Sequence, residues 1–211
     1  FNYESYSSKY LIGPQFFIMD SIYNEKNNNE PNKIVNNILL TVGGSDHHNI
    51  LFKILKALDN ICENKNFILV VTKASGYIDK LYEISNTMEN LIDIHIDAES
   101  LSGFWEKCDI AITAGGNTLF ERISTRTPGA TICQLKRQME ISNYFMELGV
   151  NYNIGLGELL SEDEIARKLK YFLSNFNEHK NQFLKSKNII SGNGLNLLMS
   201  YIYSSPKLLY N

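Results

Sequence analysis

Residues 38–59 read Ile-Leu-Leu-Thr-Val-Gly-Gly-Ser-Asp-His-His-Asn-Ile-Leu-Phe-Lys-Ile-Leu-Lys-Ala-Leu-Asp. Ile38 to Val42 is a short apolar run of the kind that fills a buried strand. Gly43-Gly44-Ser45-Asp46 breaks it at once. From Asn49 to Asp59 the apolar residues Ile50, Leu51, Ile54, Leu55 and Leu58 recur at helical spacing. Strand, glycine turn and helix in immediate succession are the unit from which parallel sheets are built.

The unit repeats along the chain. Strands are expected over 67–72, 91–96, 110–113 and 130–133, with a short one near 150–154, and helices over 77–84, 101–107, 118–124 and 139–148. Crossovers of that length join parallel strands and cover both faces of the sheet. The sequence therefore predicts a doubly wound α/β fold with a mainly parallel, Rossmann-like sheet. Ser161 and Glu164 have capping-box spacing and open a helix to about residue 172. Further helices are expected over 178–187 and 195–203. Residues 1–37, which end in the polar run Asn24 to Asn37, read as a lead-in or linker, and 38–211 as the sheet lobe with its C-terminal helices. The chain of 211 residues opens on Phe1 instead of Met, and the expectation is a piece of something longer.

Composition narrows the function classes. With 44% hydrophobic and 20% charged residues the chain is ordinary globular material. Twenty basic and 23 acidic residues, net charge -3, offer no cluster of Lys and Arg, which argues against nucleic acid as a partner. No apolar run reaches the roughly 18–20 residues a membrane span needs, so a cytoplasmic protein is the default. Cys62, Cys108 and Cys133 have neither an even count nor metal-ligand spacing, and each is expected to pack in the core.

In an open parallel sheet the ligand lies outside the carboxyl ends of the strands. Two turns there are glycine pairs that lead into helices: Gly43-Gly44-Ser45-Asp46 and Gly115-Gly116-Asn117-Thr118. Glycine lets backbone approach a ligand closely, and a helix N-terminus favours an anion, phosphate first. Neither turn has the dinucleotide or the Walker spacing, so NAD and ATP hydrolysis are discounted and no cofactor is expected. Glu121, five residues beyond Gly116, is placed either to accept hydrogen bonds from a ribose diol or simply as an exposed carboxylate near the helix start. His47 and His48 are neighbours that do not share a helix face, a poor metal pair, and no metal is expected. His95, with Asp93 and Asp97 on its strand face, reads as a hydrogen-bonded sheet-end histidine, and Trp105 as core or edge packing.

The run Cys108-Asp-Ile-Ala-Ile-Thr-Ala-Gly-Gly-Asn-Thr-Leu-Phe-Glu-Arg, followed by Thr127-Pro128-Gly129 and Gln138, resembles the C-terminal lobe of GT-B glycosyltransferases, which have two Rossmann lobes. It is most similar to the UDP-2,4-diacetamido-2,4,6-trideoxy-β-L-altropyranose hydrolase family of pseudaminic acid biosynthesis and to spore-coat polysaccharide biosynthesis proteins. Leu11-Ile-Gly-Pro-Gln-Phe16 resembles that family's linker motif, Val42-Gly-Gly-Ser-Asp46 its first glycine turn, and Ser191-Gly-Asn-Gly194 its C-terminal motif. The resemblance implies that Gly43, Gly44, Ser45, Gly115, Gly116, Asn117 and Thr118 border the diphosphate of UDP or a UDP-sugar, with Glu121 on the ribose. It further implies uracil near Ile96, Asp97 and Ser100, and the sugar near residues 136–138, with Arg137 and Gln138 facing it. Where the family has Asn-Gln at the sugar end this chain has Arg137-Gln138, and Asp20 replaces an Arg after the linker motif. The family's catalytic histidine belongs to an N-terminal lobe that this chain lacks, so no catalytic residue is expected within it. The expected function is the UDP-sugar-binding lobe of a hydrolase; the alternatives are the donor lobe of a glycosyltransferase and a non-catalytic nucleotide-sugar-binding module.

Overall fold

Ile38, Leu39 and Leu40 are fully buried because the strand that carries them has a partner on each side and a cover on each face. In the computed structural model, which describes residues 11–25, 34–44, 46, 48–177, 186 and 189–204, that strand is β1 (Asn37–Thr41). The others are β2 (Asn66–Val71), β3 (Leu91–Ile96), β4 (Ile110–Thr113), β5 (Gly129–Cys133) and β6 (Tyr152–Leu156). They form one sheet in the order β3-β2-β1-β4-β5-β6, parallel at every pairing. The helices are α1 (Ile22–Glu25), α2 (Ile50–Asp59), α3 (Ile78–Ser85), α4 (Ser102–Trp105), α5 (Asn117–Ser124), α6 (Lys136–Glu147), α7 (Glu162–Ser174) and α8 (Gly194–Ser204). The predicted doubly wound α/β fold is what the chain adopts.

Alternation along the strands separates two apolar clusters. Ile38, Leu40, Phe67, Leu69, Ile110 and Ile112 enter the larger one with Ile54, Leu55 and Leu58 of α2 and Ile165, Leu169 and Phe172 of α7. Leu39, Ile68, Val70 and Ala111 face the smaller one, which Tyr23 and Trp105 complete. Each fully buried Leu or Ile is worth about 1.5–3 kcal/mol of gross burial. Trp105 and the buried Cys62 and Cys133 are core, as expected, while Cys108 is half-buried against the smaller cluster.

Local rules hold at several joints. Ser161 Oγ accepts from the Glu164 N–H at 3.2 Å and Glu164 Oε2 accepts from the Ser161 N–H at 2.9 Å, the predicted capping box. Asp109 Oδ2 accepts from the N–H groups of Asn36 and Asn37 at 2.8 and 2.7 Å and so fixes where β1 begins. Gly129 opens β5 where a Cβ would lie 2.0 Å from the Ala111 carbonyl oxygen, so only glycine fits.

Three boundaries differ from expectation. Helix α6 starts at Lys136, ahead of the expected Met139, because the Gln138 side chain turns back to cap it. Strand β6 begins at Tyr152, beyond a register shift at Thr131/Ile132. Helix α4 is a single turn. The expected helix over 178–187 falls almost wholly outside the described residues. The lead-in lies against the lobe: the Phe17 ring stacks on Phe120 at 3.9 Å, and Gly194 sits so close to the Phe17 carbonyl that a Cβ would come within 2.2 Å of it.

Candidate functional site

The strand order steps one way from β1 to β3 and the other way from β4 to β6, so it reverses between β1 and β4. Thr41 and Thr113, the last residues of those two strands, are in register. Both glycine turns therefore open from adjacent strand ends at the topological switch point, the place where open α/β sheets hold ligands.

The first turn is anchored from behind. The Gly44 carbonyl accepts from Thr72 Oγ1 at 2.8 Å, and the Val42 carbonyl accepts from Gln134 Nε2. Gly43 has φ +89°, a left-handed value that favours glycine, and a Cβ at either Gly43 or Gly44 would meet nothing within 4 Å. Open space lies in front of both. Ser45 and His47 lie outside the described residues. Asp46 is buried, and its carboxylate accepts from the N–H groups of Ile50 and Leu51 at 2.7 and 2.9 Å and from the Tyr77 hydroxyl at 3.0 Å. That acidic side chain already occupies the N-terminus of α2. The sequence suggested two open helix ends for a diphosphate; the α2 end is closed by its own cap.

The second turn leaves its helix open. Among the described residues no side chain caps α5 at Gly116, and the first N–H to turn back is that of Leu119, onto the Gly116 carbonyl at 3.0 Å. The positive end of the helix dipole lies at this turn, with Asn117 exposed beside it. Gly115 is buried where a Cβ would stand 2.8 Å from Gln138 Cβ and 3.1 Å from Cys133 Sγ, so packing alone already demands glycine there. Gly116 and Thr118 are half-buried.

Glu121 is half-buried on α5, not an exposed helix-start carboxylate, and its Oε2 accepts from the Tyr23 hydroxyl at 3.0 Å. Burial raises the pKa of this carboxyl, and the tyrosine hydrogen bond opposes that rise. Tyr23 itself is pushed up to about 12, by burial first and then by the Glu121 charge, while side-chain hydrogen bonds with Trp105 and Ser100 act in the other direction. Glu121 and Ser100, expected at the ribose and the base, are thus brought to one hydroxyl.

The other expected site residues are placed less directly. Ile96 is half-buried and packs against the larger cluster. Asp97 has φ 52°; its Oδ1 accepts from the Lys73 N–H at 2.9 Å and its Oδ2 lies 3.5 Å from Lys73 Nζ. Ser100 is exposed, and its Oγ accepts from the Ser102 N–H at 3.1 Å. Gln138 lies beside Gly115 and Gly116, but its Oε1 accepts from the Gln134 N–H at 2.8 Å, which leaves its amide nitrogen as the group nearest Gly116. Arg137 is exposed on the first turn of α6.

Outside this crevice, His95 Nε2 bonds Asp93 Oδ2 at 2.8 Å, the expected sheet-end pairing, and exposed His48 lies 3.2 Å from Glu158. A cavity of about 550 Å³ lies elsewhere, between the lead-in and α6, lined by Pro14, Phe16, Phe120, Ile141 and Tyr144 among others. The glycine turns do not reach it. No helix among the described residues is long and apolar enough to cross a membrane. Sequence reasoning missed Tyr23, Thr72, Gln134 and the Asp46 cap. Only the last had a local signal, an acidic residue ahead of an apolar helix.

The sheet order defines a Rossmann-like α/β fold, and comparison with known proteins agrees with that class. The solved structures that share this fold include glycosyltransferases and a putative UDP-N-acetylglucosamine 2-epimerase from Listeria monocytogenes (TM-score 0.59, 14% identity, 82% of this chain and 46% of that one). They include MurG from Acinetobacter baumannii (TM-score 0.70, 14% identity, 87% of this chain and 53% of that one) and Os79 from O. sativa in complex with UDP (TM-score 0.56, 15% identity, 72% and 35%). Among curated proteins, the chain is 24% identical over 186 residues to the spore coat polysaccharide biosynthesis protein SpsG of Bacillus subtilis, covering 87% of this chain and 55% of that protein. It is 28% identical over 190 residues to a Helicobacter pylori protein named pseudaminic acid cytidylyltransferase and UDP-2,4-diacetamido-2,4,6-trideoxy-beta-L-altropyranose hydrolase, covering 89% and 32%. The chain thus spans about half of the first relative and a third of the second. No family model matches it.

Proposed function

We propose that the chain is the UDP-sugar-binding lobe of a nucleotide-sugar hydrolase of surface-polysaccharide or nonulosonic acid biosynthesis. The observation that carries this reading is the uncapped N-terminus of α5 at the switch point with Glu121 one turn further along the same helix. A diphosphate seated on that end meets backbone N–H donors and the helix dipole without a metal. The ribose then falls beside Glu121, the base toward Ile96, Asp97 and Ser100, and the sugar toward Arg137 and the amide nitrogen of Gln138. Gly43 and Gly44 line the opposite side of the diphosphate by close backbone approach.

In the complete enzyme a base from the N-terminal lobe takes a proton from water, the water oxygen bonds to the anomeric carbon, and the bond from that carbon to the diphosphate oxygen breaks. The electron pair leaves on UDP. The α5 end stabilises the charge gathering there, which is this lobe's share of the catalysis. The lobe by itself supplies neither the base nor the second wall that excludes bulk solvent. A transferase using a sugar hydroxyl in place of water is the second reading, favoured by the glycosyltransferase structures among the fold neighbours and by the exposed Arg137.

Isothermal calorimetry of the 211-residue chain with UDP tests the proposal. Binding is expected, and Glu121→Ala should weaken UDP far more than inorganic pyrophosphate. A folded chain that takes up no UDP would overturn the proposal, and equal losses for the two ligands would remove the ribose role.

A further inference from the structure

Glu121 owes its position to a residue 98 places earlier in the chain. The Tyr23 ring is 4% exposed and packs in the smaller cluster with Leu39, Ile68, Val70 and Trp105, so its hydroxyl is held in one place. The backbone that delivers it is set by Asp20. The Asp20 Oδ1 accepts from the Ile22 N–H at 3.0 Å, and its carbonyl accepts from the Tyr23 N–H at 3.1 Å, so this aspartate closes the turn that starts α1. From there the hydroxyl donates to Glu121 at 3.0 Å and also engages the side chains of Trp105 and Ser100.

We propose that Tyr23 is a positioning residue for the nucleotide: anchored by Asp20 and the smaller cluster, it holds the Glu121 carboxylate toward a ribose diol and ties it to Ser100 at the base end. The inference rests on the assignment of Glu121 to the ribose. A glutamate side chain loses up to roughly 2 kcal/mol of rotamer freedom when it is fixed in one place. A partner that fixes it before the ligand arrives removes that cost from binding. One Tyr23 bond leaves the carboxylate ample acceptor capacity, since each oxygen has two lone pairs. A bond to the ionised form also keeps the carboxyl ionised against the burial that raises its pKa. The neighbouring cation on the same helix does not share this work, because the buried Arg122 is turned onto the Thr127 carbonyl and Asn151.

The test is calorimetric titration of the full chain and of Tyr23→Phe with UDP and with inorganic pyrophosphate, from about pH 5 to pH 8. Tyr23→Phe keeps the ring in its cluster, and a thermal melt verifies the fold. UDP is expected to bind about tenfold more weakly to the variant, the worth of one hydrogen bond to a charged group, with pyrophosphate unchanged. Without the hydroxyl, Glu121 takes up its proton at higher pH, so the loss of UDP affinity on acidification should begin at higher pH in Tyr23→Phe. In a Glu121→Gln background the same substitution should shift nothing. Equal losses for both ligands, an unmoved acid limb, or tighter UDP binding would each overturn the proposal, the last by making Tyr23 a plug in the ribose position. If Glu121→Ala weakens UDP and Tyr23→Phe does not, the ribose assignment stands and the role of Tyr23 falls; if neither does, both fall.

Discussion

Replacing Asp46 by alanine removes three hydrogen bonds from one buried carboxylate: those from the Ile50 and Leu51 N–H groups at 2.7 and 2.9 Å and that from the Tyr77 hydroxyl at 3.0 Å. Loss of a helix N-cap costs about 0.5–2 kcal/mol. Tyr77 is buried, and leaving its hydroxyl without that acceptor adds about 1–3 kcal/mol. The sum is about 1.5–5 kcal/mol, and for a domain of this size 3 kcal/mol lowers Tm by roughly 6–12 °C. Urea denaturation followed by far-UV circular dichroism measures it directly. Tyr77→Phe alone should cost less, and a double-mutant cycle should show the two residues coupled, because they share one hydrogen bond. An Asp46→Ala variant within about 0.5 kcal/mol of wild type, the usual size of a neutral surface change, would refute the assignment of Asp46 as the cap. It would also return α2 to the set of helix ends open to an anion.

Gly129→Ala should exceed the roughly 1–3 kcal/mol of ordinary overpacking, since its Cβ meets the Ala111 carbonyl oxygen at 2.0 Å and Arg122 Nη1 at 3.0 Å; a variant that unfolds at the wild-type urea midpoint would contradict this. Glu121→Gln should raise Tm at neutral pH and lose that advantage below about pH 4.5, the ordinary carboxyl value. The sign follows from the raised pKa: folding favours the protonated carboxyl, so its contribution to stability is full in acid and is lost as pH rises through the folded-state value. Melts across pH that show the opposite slope would contradict the burial-dominated environment of Glu121.

The fold was legible because its signals are local. Ile38 to Val42 announces a buried strand by itself, and Ile50, Leu51, Ile54, Leu55 and Leu58 mark a helix face within three turns. The capping box at Ser161 and Glu164 is likewise complete within four residues. The site was legible only in part. That two glycine turns follow strands is local, but that those strands are neighbours at the reversal depends on strand order, which alternation of elements does not encode. Asp46 stands ahead of an apolar helix, but its spacing is unusual: the chain bends through a left-handed Asn49 (φ 51°) before the helix, so the cap reaches across four residues instead of standing next to the first turn. Tyr23 could not have been found from pattern. It lies in a stretch with no periodicity, and its importance comes from a bond to a residue on a distant helix. Gln138 carried two meanings in sequence, ligand contact and helix cap, and only the geometry separates its oxygen from its nitrogen.

The central claim is that UDP occupies the crevice between the two glycine turns with its diphosphate on α5. Titration of UDP into the isotopically labelled chain, followed by amide chemical shifts, tests it most directly. The account predicts that the largest shifts fall on Gly43, Gly44, Gly116, Asn117 and Thr118, with Glu121 and Ser100 also moving, while the residues of the cavity between the lead-in and α6 stay still. Shifts concentrated on Phe16, Ile141 and Tyr144 of that cavity, or none at saturating UDP, would contradict it.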